Sequence, residues 1–113
     1  MEILLKVNLI ENEIQDSYIG KAILIDNVIT YEDNVKVIIN LNKDKLSIFR
    51  SNDQYDINIS FNENKITYFL KENNASFNIN LALLKTDYYS NGIYIEYMIE
   101  DSIFKFKLEY EVL

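Results

Sequence analysis

Apolar and polar residues alternate along nearly the whole chain. Leu5, Val7 and Leu9 alternate with Leu4, Lys6 and Asn8, and Val35, Val37, Ile39 and Leu41 with Lys36, Ile38 and Asn40. Tyr55, Ile57, Ile59 and Phe61 are separated by Asp56, Asn58 and Ser60, and Phe77, Ile79, Leu81 and Leu83 by Asn78, Asn80 and Ala82. Ile93, Ile95, Tyr97 and Ile99 oppose Glu96 and Glu100, and Phe104, Phe106, Leu108, Tyr110 and Val112 oppose Lys105, Lys107, Glu109 and Glu111. A period of two built from β-branched and aromatic residues predicts half-buried antiparallel strands. Helical spacing is weak throughout. The best helical candidate, Asn80 to Asp87, is too short and keeps the alternation of its strand.

Polar punctuation recurs at intervals of roughly ten residues, as expected for hairpins. It falls at Asp26-Asn27, Asp33-Asn34, Asn42 to Asp44, Ser51 to Asp53, Asn62 to Asn64, Glu72 to Asn74, Asp87 to Gly92 and Asp101-Ser102. Asn and Asp tolerate left-handed backbone and close their own turns, so they can stand in for glycine and proline. The reading is an all-β, single-domain meander over residues 1–113, with eight to ten strands. Such a meander must manage two edge strands, and closure into an up-and-down antiparallel β-barrel removes them. Gly20, inside the long segment from Glu13 to Asp26, fits a bend in one strand of that barrel; the other reading is a chain reversal there.

Composition then removes most familiar chemistry. The 113 residues include no His, Cys, Pro or Trp, and Gly20 and Gly92 are the two glycines. That excludes Ser-His-Asp and Cys-His catalysis, Cys/His metal sites, disulfides and a glycine-rich phosphate cradle. No cofactor or metal is expected, and the chain reads as a non-enzyme. The formal charge of −7 disfavours nucleic acid and anionic membrane surfaces and favours solubility. The N-terminal residues lack a basic region followed by an unbroken apolar run, and no window is long enough to span a bilayer, so a cytoplasmic setting is expected. The 18 Ile and 15 Asn, with Arg50 as the single arginine, match the codon supply of a low-GC bacterial genome.

The order of features resembles the YwiB-like family of lipocalin-like (calycin) β-barrels from low-GC Gram-positive bacteria. The resemblance is carried by Lys45 to Arg50, the polar turn Ser51 to Gln54, the strand Tyr55 to Phe61, the closing hairpin Gly92 to Glu100 with Ile103 to Val112, and Gly20 followed by Tyr31-Glu32. Asn52 and Asp53 stand where the family usually has a glycine, and Asn73 to Ser76 where it has a Thr-Pro-Tyr-Gly-like turn. The resemblance implies a calycin-like closed barrel and no established activity.

Arg50 is the candidate residue of most interest. Its parity matches Leu46 and Ile48, so it points inward on straight alternation, where a guanidinium needs a partner. It either bonds strand ends to close the barrel or anchors the carboxylate of a ligand. A bulge near Ser51 would turn it outward and remove both readings. Tyr55, Tyr68, Tyr97 and Tyr110 share parity with core residues, whereas Tyr88, Tyr89 and Tyr94 flank the connection Asp87 to Gly92. Those three tyrosines suit either a contact surface or a plug over the barrel end. Glu96 and Glu100, and Glu109 and Glu111, are spaced for paired-carboxylate chemistry, but pairing with Lys105 and Lys107 accounts for them better. The functional reading is a binding module for a small apolar or carboxylate-bearing ligand, with Arg50, Tyr88, Tyr89 and Tyr94 as site residues. The alternative is a protein-interaction module using the Tyr88–Tyr94 region. Monomer and homodimer are both compatible with the sequence.

Overall fold

Seven residues other than glycine hold left-handed backbone: Asn12, Asp26, Asn27, Asn34, Asn64, Asn74 and Glu100. Six are Asn or Asp, the types whose short side chains lower the cost of positive φ. Neither glycine has positive φ, so the asparagines do turn the chain. Asp26 and Asn27 are both left-handed, which is the geometry of a type I′ hairpin turn.

In a computed structural model that describes all 113 residues, these turns separate eleven antiparallel strands, one more than the upper end of the sequence expectation. They are β1 (Glu2–Glu11), β2 (Ile14–Ile25), β3 (Val28–Asp33), β4 (Val35–Asn40), β5 (Ser47–Ser51), β6 (Tyr55–Ser60), β7 (Lys65–Leu70), β8 (Ala75–Asn80), β9 (Ala82–Tyr89), β10 (Gly92–Ile99) and β11 (Ser102–Val112). The sheet order is β8-β7-β6-β5-β4-β3-β2-β1-β11-β10-β9. This is the up-and-down, antiparallel all-β architecture that the alternation predicts. No helix is long and apolar enough to cross a membrane.

The chain divides into two compact units. The first comprises Met1–Ala22 and Leu81–Leu113. Here β11 lies between β1 and β10, and its inward residues meet apolar partners on both sides: Leu108 faces Val7 and Ile93, and Phe106 faces Leu9 and Ile95. Ile3, Leu5, Ile93, Ile95 and Leu108 are almost completely buried. Tyr97 is buried and stacks on Phe104 across the β10–β11 ladder, with ring centroids 5.1 Å apart.

Residues Ile23–Asn80 form the second unit, in which β3 to β8 pair in sequence order. Residues directly opposite on paired strands share a face. The ladders therefore set Ile29, Ile39, Ile48, Ile59, Ile66 and Ile79 in one continuous row across six strands. Ile29, Ile39, Ile48 and Ile66 are buried, and Phe61 and Leu46 are sealed beyond the row. The β4–β5 connection is held by Asn42, whose Nδ2 donates to Asn40 Oδ1 at 2.8 Å.

Gly20 lies within β2, which runs unbroken from Ile14 to Ile25, so the chain does not reverse there. Its missing side chain leaves room for the Tyr18 ring, which lies where a Cβ would be. The connection read from Asp87 to Gly92 is shorter than expected. Tyr88 and Tyr89 belong to β9, and a two-residue turn, Ser90-Asn91, leads to Gly92 as the first residue of β10.

Candidate functional site

Arg50 occupies the row next to the isoleucines. The ladders place it between Val37 and Ile57, with Tyr31 beyond Val37 and Tyr68 and Phe77 beyond Ile57. No register shift interrupts β4, β5 and β6 near Ser51, so Arg50 keeps the inward direction set by its parity. Burial falls along this face. The isoleucine row is mostly sealed, whereas in the Arg50 row only Val37 is buried, and Arg50, Ile57 and Tyr68 are half-buried. Phe77, expected inside, is 46% exposed because β8 ends the sheet order, although it stacks on Tyr68 at 5.0 Å.

The guanidinium of Arg50 makes no hydrogen bond or ion pair. The strand-end bonds expected of an internal barrel-closing arginine are therefore not made. The acid on the strand paired with β5 is committed elsewhere, on the opposite face of the sheet. Asp56 faces Ser51 in the β5–β6 ladder and accepts a 2.5 Å hydrogen bond from Ser51 Oγ. Lys71 Nζ lies 3.4 Å from Asp56 Oδ1 and donates to the carbonyl of Asn52 at 2.7 Å. The Ser51 hydrogen bond, with help from Lys71, holds the Asp56 carboxyl below its usual range. Sequence reasoning missed this cluster, since only the register brings Ser51 and Asp56 together.

One row further along, Tyr55 pairs with Leu70, and Leu70 with Ala75. Tyr55 and Leu70 also line an open cleft of about 620 Å³ together with Asp53, Gln54, Lys71, Glu72 and Asn73. The cleft is shaped by the β5–β6 and β7–β8 turns. Asn52 Oδ1 accepts from the backbone N–H groups of Gln54 and Tyr55 at 2.8 and 3.0 Å, a turn that needs no glycine. The inner face of this unit thus grades from sealed isoleucines, through Arg50, to an open rim.

The three tyrosines lie in the other unit and do not form one patch. Tyr88 faces Ile93, on the buried side of the β9–β10 ladder, whereas Tyr94 faces Asp87 on the opposite side. Tyr89 pairs with Gly92 and is 50% exposed; Tyr88 is 39% exposed, and its burial raises its pKa. Tyr94 donates to Glu96 Oε1 at 2.6 Å, and Lys85 Nζ lies 6.0 Å from the Tyr94 ring centroid. Glu96 stands opposite Lys105 and Lys85 in register but forms no ion pair with either, since it accepts from Tyr94 while Lys85 pairs with Asp87, and Glu100 lies in a turn; the expected pairing with Lys105 and Lys107 is not made.

Ionising Tyr94 would set a phenolate against the Glu96 carboxylate, so its pKa is raised to about 12, first by that hydrogen bond and then by burial. The bond contributes stability in full below the ordinary tyrosine pKa of 10.0 and loses it as pH rises through about 12. Glu96→Gln should bring Tyr94 back toward the ordinary range. In an absorbance titration of phenolate, one tyrosine's amplitude should leave the late phase in this variant, and Tyr94→Phe should delete it. An unchanged late phase in both would exclude the assignment.

No family model and no curated protein matches the sequence. Among solved structures, the chain is similar to the ywiB protein from Bacillus subtilis in its crystal structure, with a TM-score of 0.67 and 16% sequence identity over 97% of this chain and 90% of that one. The likeness is one of fold.

Proposed function

We propose that this chain is a non-enzymatic binding module that holds a small, mainly apolar carboxylate against the inner face of the β3–β8 unit, with Arg50 as its anchor. One observation carries the proposal. Arg50, a half-buried residue whose guanidinium carries five donors, stands in a row of apolar and aromatic side chains and has no hydrogen-bond or ion-pair partner in the protein. Groups of that kind are normally satisfied, and a carboxylate matches the guanidinium fork with two parallel hydrogen bonds. The packed isoleucine row leaves no room deeper in this face, so the ligand's apolar part lies over Ile57, Tyr68, Tyr55 and Leu70, toward the cleft. A cleft of about 620 Å³ falls in the range that takes small molecules. The fold likeness to the ywiB protein supports the kinship with lipocalin-like barrels that the sequence suggests, and this kinship is part of the same proposal.

Arg50→Met is expected to have opposite effects on binding and stability. Charge-assisted hydrogen bonds contribute about 1.5–3 kcal/mol, so affinity for a carboxylate should fall by roughly 10- to 100-fold. Stability should hold or rise, because the substitution removes a half-buried charge and breaks no internal bond. Thermal shift and native mass spectrometry with decanoate and phenylbutyrate would measure both effects. Failure of either carboxylate to bind the wild type, or equal binding by Arg50→Met, would refute the proposal. A second reading, a protein-contact surface near Tyr88 and Tyr89, is favoured by their exposure on β9.

A further inference from the structure

Strand β9 ends the sheet order, and it is poorly protected for a terminal strand. It carries Leu83, Leu84, Tyr88 and Tyr89 at 37%, 48%, 39% and 50% exposure. Terminal strands are usually short, charged or proline-bearing, because unpaired backbone groups template association. Here the only charges are Lys85 and Asp87, with one register shift opposite Glu96 and Tyr97. Tyr89 and Gly92 close the two-residue turn, and in an antiparallel ladder alternate residues direct both backbone groups to the same neighbour. Tyr89 and Asp87 therefore point theirs at β10, and Thr86 points its N–H and C=O away from it. The Thr86 hydroxyl is also unsatisfied: Oγ1 is buried and has no hydrogen-bond partner.

We propose that β9 is a self-association edge, and that two copies of the chain pair β9 with β9 in antiparallel register about Thr86. In this register the strand is complementary to itself in charge. Centring the twofold on Thr86 sets Lys85 of one copy opposite Asp87 of the other, twice, and Leu84 opposite Tyr88. Centring it on Lys85 or on Asp87 would set like charges against each other, which destabilises a cross-strand pair. On the axis, the outward backbone groups of the two Thr86 residues bond to each other. One contact thus covers four exposed apolar side chains per copy and occupies the unpaired edge of a terminal strand. It involves the first unit and does not depend on the ligand proposal for Arg50.

The test is the oligomeric state of the full chain by sedimentation velocity across a concentration series at physiological salt. The wild type should show a concentration-dependent dimer. Lys85→Asp and Asp87→Lys should each weaken that dimer by about tenfold or more, because each sets like charges opposite one another. The double variant Lys85→Asp/Asp87→Lys should restore it to within a few-fold. A wild type that stays monomeric at several hundred micromolar, or a dimer indifferent to both single reversals, would overturn the proposal. Hydrogen exchange on the wild type gives a check that needs no variant. The Thr86 amide should exchange slowly in concentrated solution and quickly after dilution, and equal rates would count decisively against the edge contact.

Discussion

Gly92→Ala is expected to remove a large share of the protein's stability, about 3–5 kcal/mol out of a total that for a domain this size is about 5–15 kcal/mol. Gly92 is buried at the start of β10 and pairs with Tyr89 on one side and Glu109 on the other. An added Cβ would run into the carbonyl oxygen of Leu108, far inside contact distance, and would lie 3.0 Å from the Cα of Glu109. Both obstacles are backbone of β11, and Leu108 is itself completely buried between Val7 and Ile93. Relief would need β10 and β11 to separate where the ladder is anchored, and the adjacent turn would move with them. Tyr110 N–H donates to the carbonyl of Asn91 at 2.9 Å, and Asn91 Nδ2 donates to the carbonyl of Tyr110 at 3.2 Å. Gly20→Ala is the internal comparison. Its Cβ would meet the phenol end of Tyr18, which can swing aside, so a loss of about 1 kcal/mol or less is expected. Urea unfolding of both variants decides the matter; similar midpoints would mean that β11 yields more easily than its packing implies.

Strand positions and facing directions were legible in the sequence because both are local. Alternation placed Ile57, Ile59 and Phe61 on one side and Asp56 and Asn58 on the other, and the ladders agree. It also aimed Arg50 inward. Asparagine-rich turns could be read without glycine or proline because left-handed asparagine is an intrinsic tendency, although Glu100 adopts the same conformation against the tendency of its type. Depth and partnership were not legible. Phe77 has the right parity but lies on a terminal strand, so no further strand covers it. Arg50 could be read as bonding strand ends or as anchoring a ligand's carboxylate, and nothing local could show that Asp56 is taken by Ser51 and Lys71 on the other face. The Asp87 to Gly92 segment looked like a loop because Tyr-Tyr-Ser-Asn-Gly lacks alternating polarity. A terminal strand exposed on both sides has little reason to alternate, which is also why the Tyr88, Tyr89 and Tyr94 patch dissolved into two faces.

Phe61→Ala should cost about 3–5 kcal/mol, the usual penalty for emptying a fully packed aromatic site. Phe61 is 1% exposed and the largest of the fully buried side chains. It follows Ile57 and Ile59 in parity, just past the end of β6, and its N–H donates to the carbonyl of Leu46 at 3.1 Å, so the backbone there cannot easily collapse into a void. Phe77→Ala removes the same atoms from the same unit but from a ring 46% exposed, and should cost about 1–2 kcal/mol. The contrast also bears on where binding occurs. Phe61 and Arg50 flank the isoleucine row on opposite sides, Phe61 two residues beyond Ile59 and Arg50 opposite Ile57. Four residues of strand separate those levels by about 13 Å. Phe61→Ala should therefore lower the melting temperature strongly while decanoate affinity, measured well below that temperature, stays within a few-fold of wild type. Arg50→Met should do the reverse. If Phe61→Ala abolished binding in protein that is still folded, the ligand would have to reach past the isoleucines, and the anchor proposed for the open end of this face would be in the wrong place.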